Sequence, residues 1–145
     1  MHKAHGFTLI ELMVTVAIVA ILGSIALPAY NQYVQRGKIT EATSSLSELR
    51  LRAEKFFADN RTYLNAGGTA VGFNITLNNA RYFDFVCNDP AATATTFTCK
   101  ATGKGDMGGF VYTIDQTNTR KSTFTGLPGW NNSTTCWVTK KGESC

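Results

Sequence analysis

Histidine is almost missing from this 145-residue chain: both copies, His2 and His5, fall in the opening MHKAHG. From residue 7 onward no imidazole is available as the base of a Ser/His or Cys/His nucleophile arrangement. None of the four cysteines stands in a C-x-x-C pair, which, with histidine confined to the opening, argues against a zinc site. A carboxylate-only active site would have to use Asp84, Asp89, Asp106 and Asp115, whose spacing suggests turns and strand ends rather than a working pair. The doublets Gly67-Gly68 and Gly108-Gly109 lack the spacing of a phosphate-cradling loop. No internal repeat or disordered tail is visible. These absences lead us to expect no enzyme, no metal and no cofactor.

Acid is scarce in one place in particular. From Phe7 to Ala29 the chain is an apolar run in which Glu11 is the only charged residue. About 20 apolar residues suffice to cross a bilayer, so this run is long enough to span one. A carboxylate at mid-bilayer costs roughly 2.5–3.5 kcal/mol on insertion scales. A first-turn acid recovers only about 0.3–1 kcal/mol from the helix macrodipole, too little to offset burial. A partner is therefore expected. If the chain were cut between Gly6 and Phe7, the new α-amino group of a neighbouring copy would be a cation able to pair with Glu11 when helices pack side by side.

A conventional secretory signal is cut after its apolar run, whereas here the candidate cut precedes it and leaves the run on the mature chain. Lys3 and the positive-inside tendency place the N-terminus in the cytoplasm and the rest of the chain outside. Loss of Lys3 would leave 13 basic against 10 acidic residues, a mild net charge of +3.

Beyond the run the helix is expected to continue to about Asp59, which at about 1.5 Å per residue is too long for one small globule. Gly23, Pro28 and Gly37 are expected bending points. Ile39, Ala42, Leu46, Leu49, Ala53 and Phe56 recur at steps of three and four and form one apolar face. The remainder turns to short β-prone runs between Gly, Asn, Thr and Pro: Tyr82 to Cys87, Thr95 to Ala101, Gly109 to Asp115, Lys121 to Phe124 and Thr135 to Thr139. Their close spacing favours an antiparallel sheet. The expected class is α+β, with the outer half of a long N-terminal helix packed on a C-terminal sheet. The expected division is a short opening at 1–6 ahead of the candidate cut, a membrane-spanning helix at 7–29, an amphipathic continuation at 30–60 and a β-sheet head at 61–145. Four cysteines allow three pairings; Cys87 with Cys99 and Cys136 with Cys145 is preferred, because each pair brackets one local segment.

The segment from Gly6 to Glu11, GFTLIE, followed by LMVTVAIVAILGSIALPAYNQYV, resembles the N-terminal signature of type IVa pilins. That resemblance implies cleavage after Gly6 by a prepilin peptidase, N-methylation of Phe7 by the same enzyme, and a role for Glu11 in joining the filament. It also implies that 1–6 is a leader peptide and 7–29 the filament-core helix, together with a type IV pilin fold, an inner-membrane assembly platform and other pilin subunits as partners. Lipid would hold the chain in the inner membrane of a Gram-negative bacterium before export into the pilus. The segments LRLRAEKFFADNRTY, GGFVYTIDQTNTRKST and PGWNNSTTCWVTKKGESC resemble PilE-like minor pilins, and the Cys87 and Cys99 pair is extra to the single terminal disulfide usual in major pilins. The implied function is that of a minor subunit serving pilus biogenesis, twitching motility, adhesion or DNA uptake. A major pilin and a type II secretion pseudopilin are the related alternatives.

A DNA-binding or adhesive tip module is an alternative from another class. Lys140 and Lys141, with Trp137 and Trp130 nearby in sequence, would hold a DNA strand by phosphate contacts and stacking. Solvated lysines, and aromatics that cover the sheet, are the favoured reading at so modest a net charge. The Asn-x-Ser/Thr runs beginning at Asn60, Asn74, Asn131 and Asn132 read as surface loops.

Overall fold

The computed structural model describes residues 7–77, 80–88 and 91–145. The expected leader, with Lys3, the two histidines and Gly6, lies outside the described residues, as does Asp89. Two compact units are present, one ending at Val34 and one running from Gln35 to Cys145.

One helix, α1, runs through both (Leu9–Asn60), and Pro28 lies inside it. Pro28 has no amide hydrogen for the carbonyl one turn earlier, but a single missing bond does not end so long a helix. The helix stops where Arg61 takes a positive φ of 58° and returns its amide to the Phe57 carbonyl at 2.8 Å, the left-handed closure usually made by glycine.

In the second unit Ile39, Ala42, Leu46, Leu49 and Ala53 are buried, which is the face expected from their spacing. Phe56 is half-buried, its ring filling the space a side chain at Gly72 would need. Four strands form an antiparallel meander in the order β1 (Phe83–Val86), β2 (Thr98–Gly103), β3 (Phe110–Asp115) and β4 (Arg120–Phe124). Phe83, Ala101, Phe110, Tyr112 and Ile114 alternate onto one face and share a buried cluster with the helix stripe. Val86 opposes Lys100, so the next position along each strand brings Cys87 to Cys99, and the two fully buried residues are disulfide-bonded.

Several strand limits differ from the expected ones. β2 begins at Thr98 rather than Thr95, because the Thr93 hydroxyl accepts the amides of Thr95 and Thr96 in a local turn. It ends at Gly103, where an added Cβ would strike the Met107 carbonyl. Gly109, expected in β3, has φ 89° and belongs to the turn before it. β4 begins one residue early, at Arg120.

The expected strand Thr135 to Thr139 is not formed. Side chains of the sheet take its backbone groups instead: the Ser122 hydroxyl donates to the Cys136 carbonyl at 2.9 Å and accepts the Val138 amide at 2.8 Å. The Tyr112 phenol donates to the Val138 carbonyl at 2.9 Å. A strand ladder would need those same groups, so the segment, preceded by one bridge to β4 at Ser133, remains an irregular cover, closed by the Cys136 to Cys145 disulfide.

Candidate assembly site

In the first unit, the apolar side chains have no cover within the chain. Phe7 is 91% exposed and Leu9 75%, and Ile10, Leu12, Val19 and Ile25 are likewise exposed. The helix is long and apolar enough to cross a membrane. A helix that is apolar all round is stable only in lipid or when packed among other helices.

Glu11 is held at the start of this stretch by a capping box. Its Oε2 accepts both the Thr8 amide and the Thr8 hydroxyl at 2.9 Å, while the Glu11 amide donates to the Thr8 hydroxyl oxygen at 3.3 Å. The motif T-x-x-E, Thr8-Leu9-Ile10-Glu11, is the local signal of this arrangement, which adds two hydrogen bonds at the carboxylate to the macrodipole effect expected of a first-turn acid. Two orphan donors at the helix start are satisfied by the box, which also fixes the carboxylate on the first turn. Both residues lie after the Gly6/Phe7 junction, so a cut there would leave the box intact. Oε1 takes neither bond.

In the second unit the acids considered for catalysis are scattered. Asp84 pairs with Lys104 at 2.8 Å and Asp106 with Lys38, while Asp115 closes the β3–β4 turn by accepting the Thr117 and Thr119 amides. Among the described residues no group of three or more His, Cys, Asp or Glu is placed to hold a metal. Glu41 clamps α1 to the start of β1: its Oε1 accepts the amides of Arg81, Tyr82 and Phe83 at 3.0, 2.9 and 3.1 Å.

Lys140 and Lys141 are both exposed, on a turn closed by Glu143. Glu143 accepts the Thr139 and Lys140 amides, and the Thr139 amide bond above all holds its carboxyl below the usual range. Trp130 packs against Phe110 and Phe124, and Trp137 donates its indole N–H to the Thr113 carbonyl at 2.8 Å while Arg120 lies over its ring.

Comparison with known proteins gives this arrangement a family. The family described as "Type IV minor pilin ComP, DNA uptake sequence receptor" matches residues 28–111, and the prokaryotic N-terminal methylation motif matches residues 1–27. Fimbrial protein EcpC of Eikenella corrodens is 38% identical over 107 residues, 71% of this chain and 69% of that protein. A probable minor fimbrial protein of Dichelobacter nodosus is 46% identical over 67 residues, 46% of this chain and 42% of its own length. With some of the curated relatives it matches, then, the chain shares less than half of their length. Among solved structures, the Neisseria meningitidis non-core minor pilin PilV aligns with a TM-score of 0.55 at 17% identity, over 69% of this chain and 99% of that one, a likeness of fold. A family match across more than half of the chain, preceded by the methylation motif on the apolar stem, agrees with the helix-and-meander architecture: the chain belongs to the type IV minor pilins.

Proposed function

We propose that this chain is a subunit of a type IV pilus that joins the filament through residues Phe7 to Ala29. Prepilin peptidase cuts after Gly6 and methylates Phe7; until assembly, the apolar helix holds the chain in the inner membrane of a Gram-negative cell, and an assembly platform there passes it to the filament. The observation that carries this reading is the uncovered apolar stem with Glu11 fixed on its first turn. Thr8 occupies only one carboxylate oxygen, so Oε1 is left to accept the Phe7 amine of an adjoining subunit. Charge sets the register of packing. Burial of the stem among other helices supplies the cohesion, at about 25 cal/mol per Å² of apolar surface removed from water. Gly23 and Pro28 supply the flexibility that helix packing asks for.

Mass analysis of the native protein tests the first step: a chain beginning at a methylated Phe7 is expected, and retention of residues 1–6 would overturn the scheme.

A second reading is favoured by the description of the matching family as a DNA uptake sequence receptor. On it, Lys140 and Lys141 contribute phosphate contacts to a DNA-binding face. Saturable, salt-sensitive DNA binding that weakens when both are replaced by Gln supports it; binding unchanged by that replacement removes these two residues from the face.

A further inference from the structure

A groove of about 440 Å³ runs between α1 and the C-terminal cover, lined by Thr43, Ser44, Ser47, Arg120, Trp137 and Thr139. Its single charge is that of Arg120, whose guanidinium lies 4.9 Å from the centre of the Trp137 ring. Among the described residues no carboxylate pairs with Arg120. The indole is fixed in turn, since its N–H is committed to the Thr113 carbonyl. A guanidinium stacked on a fixed aromatic plane has lost little hydrogen-bonding capacity: its N–H fork remains available, in plane, to an anion.

The hydroxyls of the groove are polarised in one sense. Thr43 donates to the carbonyls of Ile39 and Thr40, Ser44 to Thr40, Ser47 to Thr43, and Thr139 to the Glu143 carboxylate. With their hydrogens directed back into the protein, these oxygens offer lone pairs to a ligand. The groove therefore presents one cationic fork beside a row of acceptors. A phosphodiester backbone offers acceptors only and would have to turn these hydroxyls away from their present partners to be held along that row. A ligand that matches has one anionic group and several hydroxyl donors.

We propose that this groove binds an acidic sugar, a pyranose ring carrying one carboxylate. The carboxylate is taken by Arg120, and the ring hydroxyls donate to the Ser and Thr oxygens. The volume suits one or two sugar rings, at the small end of ordinary ligand sites of roughly 300–1,000 Å³.

The test uses the full chain in detergent micelles, following the Trp137 indole N–H by NMR during titration with D-glucuronate, D-glucose, inorganic phosphate and a short single-stranded oligonucleotide. A saturable shift with glucuronate is expected, at least about tenfold weaker in Arg120→Gln, as for loss of a hydrogen-bonded charge pair. Arg120→Lys should fall between, because the charge stays but the fork is lost. Ser47→Gln, which fills the groove without touching Arg120, should also block the shift while core resonances stay in place, and it keeps the test valid if the Arg120 variants fold poorly. No saturable shift at concentrations on the order of 50 mM overturns the proposal. Equal binding of glucose overturns it as well, and so does stronger binding of phosphate or the oligonucleotide at this resonance.

Discussion

Residues of one continuous helix have two different fates in this protein. Up to Val34, apolar side chains occur on every side of α1 and none is buried; beyond Gln35 most of them gather on one stripe, Leu51 staying exposed off it, and Ile39, Ala42, Leu46, Leu49 and Ala53 disappear into a core. Backbone conformation is the same in both, so it does not decide the difference. The distribution of apolar residues around the axis does. A stripe asks for one partner and finds it in the sheet of the same chain, whereas an all-round apolar surface needs lipid or several other helices. A pilin thus carries an interior that is complete in itself and another that only assembly completes.

The sharpest way to break this comparison is at Glu11. Glu11→Ala should leave a folded, membrane-held chain whose recovery in sheared pili falls to background; normal incorporation would mean that apolar packing alone sets register. Next comes a pair of equal substitutions on the two stretches. Leu46→Ala, at a fully buried site, should destabilise the head by about 2–5 kcal/mol. Leu12→Ala, at an exposed site, should leave head unfolding unchanged while lowering filament stability. Thermal unfolding of the two variants side by side checks this, and equal losses would erase the distinction.

A smaller effect is expected within the head. Ser122→Ala removes the one hydroxyl serving both Cys136 and Val138 and should cost about 1–3 kcal/mol, with faster amide exchange at Val138 while β2 and β3 stay protected. The smallest effect belongs to Glu143. Its carboxyl is held below the ordinary 4.5 first by the Thr139 amide, so the folded chain binds this proton more weakly than the unfolded chain does. That contribution is complete at neutral pH, begins to fall as pH drops through 4.5, and is gone below the folded pKa. Its exposure keeps the effect small, visible as faster exchange of the Thr139 and Lys140 amides in acid and absent in Glu143→Gln.

Much of this was readable because it depends on neighbours in sequence. Periodicity in steps of three and four marked the buried helix face, and the long apolar run marked the stem. Turn residues located the four strands to within a few positions. The fifth expected strand fails for a reason that periodicity does not contain: Ser122 and Tyr112, on strands that precede it, reach its backbone before any ladder partner does. The Thr8 and Glu11 capping box lay open to reading as T-x-x-E but was eclipsed by the cost of burying the acid. Glu41 had no such local signal, because the three amides it gathers lie some 40 residues further along the chain.

What the sequence by itself determined is the division of labour: an apolar stem bearing one acid, a striped helix and a β-prone remainder, each written in local composition and period. What only the tertiary structure decided is which polar groups meet across the chain. Register brought Cys87 to Cys99, Ser122 stopped a strand from forming, and Arg120 came to lie on Trp137 beside the hydroxyls of α1. The physical reason is range. Hydrophobic burial is non-directional and follows a repeating pattern along the chain, whereas hydrogen bonds and ring contacts require particular atoms within a few ångströms of one another, and only the folded chain supplies that.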